Sequence, residues 1–176
     1  KQYGQRLVLD GATLELRAGA RTALIGRNGS GKTTILRLLA GDEAPDAGQA
    51  WRRDEVVVGT LAQDPAFAEG RTVLDVCEAA FAEIDALEAQ LQELEVAGLD
   101  DPDVYARWED LHATFERRGG YERRARRDMI LHALGFAGRE HDDVARFSGG
   151  EKTRLALARL LMRAPDVLLL DKPTNH

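Results

Sequence analysis

Cysteine is nearly absent: Cys77 is the single one in 176 residues. That excludes an internal disulfide framework and any metal site built from several cysteines, and it fits a reducing cytosol. Long apolar runs are missing too. Val167-Leu168-Leu169-Leu170 falls far short of the ~20 residues that cross a bilayer, so a membrane is expected only as a partner. Lys1-Gln2-Tyr3-Gly4 leads into no long apolar stretch, and no signal peptide is expected at this start. No excess of positive charge advertises a nucleic-acid binder, because Lys and Arg number 24 against 30 Asp and Glu, a net charge of −6. There is neither an internal repeat nor a low-complexity tract. What remains is the composition of an ordinary globular protein, 44% hydrophobic and 31% charged. A chain of this length buries roughly 70% of its unfolded surface and needs no disulfide or metal to hold it together.

Short β-compatible runs open the chain. Leu7-Val8-Leu9, Thr13-Leu14-Glu15-Leu16 and Thr22-Ala23-Leu24-Ile25 are separated by the turn signals Asp10-Gly11 and Ala18-Gly19. Residues 32–40 carry a helical pattern that Gly41 ends. Pro45 and Gly48 break the next stretch, and Val56-Val57-Val58 and Thr60-Leu61-Ala62 predict a strand pair joined at Gly59. From Thr72 the period changes. Thr72-x-x-Asp75 has the form of a capping box, and Cys77, Phe81, Ile84, Leu87, Leu91 and Leu94 follow as one stripe, predicting a long helix closed near Gly98. Asp101-Pro102 reads as the start of a second helix with the stripe Val104, Trp108, Leu111, Phe115, ending at Gly119-Gly120. A third is expected over residues 121–134, before Gly135. Charge in this insert is uneven. Residues 74–116 hold thirteen acidic side chains against Arg107 alone, whereas Arg117, Arg118, Arg123, Arg124, Arg126 and Arg127 face only Glu122. These sets read as solvated helix faces, paired with each other, or as a phosphate-facing arginine cluster.

Gly26-Arg27-Asn28-Gly29-Ser30-Gly31-Lys32-Thr33 matches G-x-x-x-x-G-K-[ST] at every fixed position. Glycines let the backbone wrap a triphosphate with its N–H groups turned inward, and the following helix aims its positive end at the phosphates. Lys32 is the residue to reach the β and γ oxygens, and the Thr33 hydroxyl to ligate Mg²⁺. The chain is therefore expected to bind a nucleoside triphosphate.

Two further segments narrow the class. Ser148-Gly149-Gly150-Glu151 opens a helix carrying Leu155, Ala158, Leu161 and Met162, and Asp166-Val167-Leu168-Leu169-Leu170-Asp171 is an apolar strand ending in a carboxylate. A P-loop, a Ser-Gly-Gly-Glu helix start and an apolar strand to Asp, in that order over nearly the whole chain, resemble the ATP-binding cassette (ABC) family. The closing Pro173-Thr174-Asn175-His176, with Arg27-Asn28 and Gly119-Gly120-Tyr121-Glu122, resembles the first cassette of the ABC-F branch. The resemblance implies an α/β fold: a P-loop cassette with an antiparallel β subdomain and a helical subdomain or arm insert. The expected divisions are 1–71 with the P-loop and Q-loop, 72–146 for the insert, and 147–176 for the signature helix and Walker B strand. It implies ATP and Mg²⁺ as cofactors. Tyr3 would lie under the adenine; Gly26, Asn28, Gly29, Ser30, Gly31, Lys32, Thr33 and Thr34 would hold the phosphates. Gln63 would touch Mg²⁺ and the attacking water, and Asp171 would hold Mg²⁺ through its water shell. Ser148, Gly149, Gly150 and Glu151 would face the γ-phosphate of ATP on an opposite cassette, so a second cassette is implied as partner.

One position departs from the pattern. Where the family places a glutamate as general base, this chain has Lys172. A charged ammonium accepts no proton, and a neighbouring carboxylate and triphosphate favour its charged form. ATP binding is expected to survive and hydrolysis to be severely reduced. The family's first strand is expected before Tyr3, and its D-loop and switch histidine beyond His176, so the chain reads as a fragment of a cassette. The resemblance implies a cytoplasmic, ribosome-associated factor with the ribosome or its tRNA as a partner; because the first half of the insert is acidic, such contact is expected on the Arg117–Arg127 cluster, and no DNA is expected. A transporter ATPase subunit and a non-hydrolysing ATP-dependent switch remain as alternatives, while a P-loop kinase would have no use for Ser148-Gly149-Gly150-Glu151.

Overall fold

The computed structural model describes residues 1–53, 56–61 and 65–171. The chain divides into two compact units, Lys1–Thr60 with Asp166–His176, and Leu61–Pro165.

In the first unit, β1 (Gln2–Tyr3) and β2 (Arg6–Leu7) form an antiparallel hairpin, with Gln2 opposite Leu7 and Tyr3 opposite Arg6. Helix α1 (Lys32–Ala40) starts at Gly31 and stops at Gly41, both left-handed at φ 92° and 84°. Strand β3 (Val58–Leu61) pairs with β4 (Val167–Leu170). The Val57 carbonyl accepts from the N–H groups of Asp166 (2.9 Å) and Val167 (3.2 Å), and the Val57 N–H donates to the Asp166 side chain at 2.9 Å. Three expectations need correction here. The strand read over 7–9 is replaced by β2, which ends at Leu7. No strand covers 13–16 or 22–25: these segments have no ladder partner among the described residues, and Ile25 stands 94% exposed. The pair of strands joined at Gly59 is one strand, because Gly59 is buried within the ladder and does not turn the chain.

The second unit is helical. Its helices are α2 (Val73–Glu78), α3 (Ala82–Ala97), α4 (Pro102–Arg117), α5 (Arg123–Ala133) and α6 (Gly149–Met162). Thr72 and Asp75 form the expected capping box, and Asp101 accepts from the N–H groups of Asp103 and Val104 with Pro102 in the first turn. The long helix read from Thr72 to Gly98 is interrupted by a 3₁₀ turn at Ala79–Phe81, where consecutive Ala80 and Phe81 are both buried. Helix α3 packs on α4, and α6 on α5 and α2, around Val73, Cys77, Phe81, Leu131, Phe136, Val144, Leu155 and Met162.

The two charged sets face each other. Arg118 pairs with Glu83 (2.7 Å), Arg123 with Glu88 (2.5 Å) and Asp85 (3.5 Å), and Arg127 with Glu78 (2.6 Å). Arg126 donates to the Arg118 carbonyl, Arg117 to the Thr114 hydroxyl, and Arg124 is exposed.

Candidate functional site

The loop before α1 is shaped by its glycines. Gly29 and Gly31 have φ of 78° and 92°, a region that side-chain-bearing residues avoid. A Cβ on Gly31 would also come within 2.9 Å of Val8 Cγ1 and 3.0 Å of Leu9 Cδ2, and one on Gly26 within 2.7 Å of Ser30 Oγ. The loop is closed by Ser30 N–H donating to the Arg27 carbonyl (3.2 Å). Lys32 Nζ donates to the carbonyls of Gly26 (2.7 Å) and Arg27 (2.9 Å), which holds the ammonium across the loop.

No side chain caps α1. Its first N–H groups therefore remain directed at whatever the loop encloses. A cleft of about 290 Å³ opens there, lined by Tyr3, Arg6, Asn28, Gly29, Lys32 and Thr33 among others. Thr33 Oγ1 donates to Asp171 Oδ2 at 2.6 Å, so the P-loop hydroxyl and the carboxylate at the end of β4 meet although 138 positions separate them. This is a hard-oxygen pair of the kind Mg²⁺ takes when phosphates and water complete its octahedron. Tyr3, 42% exposed, donates to Glu43; with Arg37 as a further partner, that hydrogen bond lowers the Glu43 carboxyl below its ordinary range.

A loop too tight for Cβ atoms, an uncapped helix start, a bridging lysine and a Thr–Asp pair fit a Mg²⁺–triphosphate, and residues 9–175 match the family described as ABC transporter. The chain belongs to that family. This ATP-binding cassette is 41% identical over 99% of its length to the tylosin resistance ATP-binding protein TlrC of Streptomyces fradiae. It is 34% identical to ABC transporter F family member 2 of Arabidopsis thaliana and 33% to the energy-dependent translational throttle protein EttA of Mycobacterium tuberculosis, over 100% of the chain in both. It spans 33%, 27% and 32% of those relatives. A solved nucleotide-free cassette from an ABC transporter shares the fold, with a TM-score of 0.62 at 22% identity over 99% of this chain and 66% of that one.

Tyr3, Asn28, Lys32, Thr33, Thr34 and Asp171 fall in the first unit with the loop glycines. Ser148, Gly149, Gly150 and Glu151 open α6 in the second unit, where Ser148 and Glu151 form a reciprocal capping box. Gln63 and Lys172 lie outside the described residues. Two residues escaped the sequence reading. Arg6 lines the cleft and donates to the Gly29 carbonyl at 2.9 Å. Arg139 reaches Glu151 at 2.9 Å. Neither belongs to a motif, and their partners lie 23 and 12 positions away.

Among the described residues no helix is long and apolar enough to cross a membrane, and no group of three His, Cys, Asp or Glu side chains could hold a metal.

Proposed function

We propose that this chain is the first nucleotide-binding cassette of an ABC-F-type protein that pairs two cassettes around ATP and acts on the ribosome. The observation that carries the reading is the glycine-shaped loop with the Thr33–Asp171 pair at its edge. The names of the relatives support the branch and the process: one is an F family member and another a translational throttle.

In this reading Tyr3 stacks on the adenine, and Lys32 exchanges its two loop carbonyls for phosphate oxygens. Thr33 and Asp171 are the residues that would hold Mg²⁺. When bound, Mg²⁺ neutralises charge on the phosphate oxygens. Gln63 positions the attacking water. Ser148, Gly149, Gly150 and Glu151 meet the ATP of the opposite cassette, so each site is completed by two cassettes. Arg117, Arg124 and Arg126 are the members of the 117–127 cluster without an acidic partner among the described ion pairs; Arg126 is half-buried and held by the Arg118 carbonyl, which leaves the exposed Arg117 and Arg124 as the residues for ribosomal phosphates.

Lys172 stands where the family's general base belongs, which also supports a second reading, an ATP-dependent switch with little turnover. Turnover and ribosome sedimentation of the full-length protein, with Lys172 and with Lys172→Glu, test both. Lys172→Glu is expected to raise turnover by about 10²–10⁴-fold. Equal rates would overturn the impaired-base reading, and absence of ATP-dependent sedimentation with ribosomes would overturn the ribosomal one.

A further inference from the structure

The first turn of α6 carries a carboxylate close to where the proposed reading brings a triphosphate, an arrangement that charge alone opposes. Glu151 Oε2 accepts from the Ser148 N–H (2.9 Å) and hydroxyl (2.8 Å), and Ser148 Oγ in turn accepts from the Glu151 N–H (3.3 Å). The other oxygen, Oε1, accepts from Arg139 Nη1 at 2.9 Å. Both carboxylate oxygens are thereby used.

Arg139 is itself held. Its Nε donates to Asp142 Oδ2 at 2.7 Å, and its guanidinium lies 4.8 Å from the Phe147 ring centroid and 5.9 Å from that of Phe136, two rings stacked at 5.7 Å. Phe136 is fully buried. The Asp142 carbonyl accepts from the Val73 N–H at 3.2 Å, which ties the segment to the start of α2. A planar cation with two donors engaged and one face on an aromatic ring has little freedom left.

We propose that Arg139 is a positioning residue for the signature turn: it holds the Glu151 carboxylate against Ser148 and neutralises it, so that the Ser148–Gly150 turn can receive the terminal phosphate of a nucleotide bound to a second cassette. The proposal rests on the trans role given to this turn above. Without Arg139, Glu151 would stand uncompensated at a helix start that must attract another anion. The carboxyl, drawn down to about 2 by the Ser148 N–H and hydroxyl and then by Arg139, stays charged throughout the physiological range.

The test is ATP-driven closure of the full-length protein, followed by energy transfer between dyes on its two cassettes. Arg139→Ala is expected to need about tenfold more ATP for half-closure, a deficit that shrinks as salt screens the exposed carboxylate. Adding Glu151→Gln, which removes the charge needing compensation, is expected to abolish the salt dependence of that deficit, and Arg139→Lys to stay within about threefold of wild type. A double variant whose deficit still shrinks with salt as that of Arg139→Ala does, or an Arg139→Ala protein that closes like wild type, would overturn the proposal. If Arg139→Ala fails to fold by circular dichroism, Arg139→Gln with and without Glu151→Gln carries the same comparison. Wild-type protein that shows no ATP-driven closure would overturn the paired-cassette reading, and the proposal with it.

Discussion

Cys77 lies on α2 with no exposed surface, and burial pushes its thiol up to about 12. The thiolate is the reactive form. Cys77 is therefore expected to resist alkylation at pH 8 in the folded protein and to react in step with unfolding; rapid modification of native protein by a colorimetric disulfide reagent would contradict this. Gly120 is constrained by space. A Cβ there would overlap the ring of Phe115, which is buried, edge-on to Tyr121 at 5.0 Å, and unable to swing out. Gly120→Ala is expected to cost about 1–3 kcal/mol in urea unfolding. Combined with Phe115→Leu, which shortens the blocking side chain, the loss should fall below the sum of the single effects. The Gly119-Gly120 pair, read in the sequence as a helix end, also makes room for this aromatic contact.

At the scale of elements, helix starts were the most legible feature. Thr72, Asp101 and Ser148 all cap as the sequence predicts, because a capping oxygen and the N–H it serves lie within three residues. These caps also govern acid behaviour. Glu151 is lowered to about 2 by Ser148 and then Arg139, Asp75 is lowered by the Thr72 N–H and hydroxyl, and Glu140 by the N–H of Gly138 and its own N–H. A carboxyl with a depressed folded value contributes stability that is complete above its unfolded value and disappears as pH falls toward the folded one. Unfolding midpoints in urea should accordingly be flat above about pH 5 and fall as pH drops from the ordinary Glu value of 4.5 toward about 2. Replacing Glu151 by Gln should flatten part of that fall, and an unchanged profile would argue against the cap as its source. Strands behaved differently. Residues 13–16 and 22–25 have β-compatible composition yet form no strand among the described residues, since a strand exists only where another supplies its ladder.

At the scale of the whole chain, the net charge of −6 conceals a division of labour. Arginines 118, 123 and 127 face acidic side chains of α2 and α3 across exposed or half-buried pairs, each individually weak. An arginine cluster for which the sequence also allowed a phosphate-facing role is thus half spent on ion pairs within its own unit.

By itself the sequence determined the phosphate loop, the helix caps and the apolar stripes, all of which depend on residues within a turn or two of each other. Only the tertiary structure decided which strands pair, that the Thr33 hydroxyl meets Asp171 at 2.6 Å, and that Arg139 rather than a neighbour holds Glu151. Those contacts join distant positions through packing, and no local spacing encodes the direction in which a long side chain is pinned.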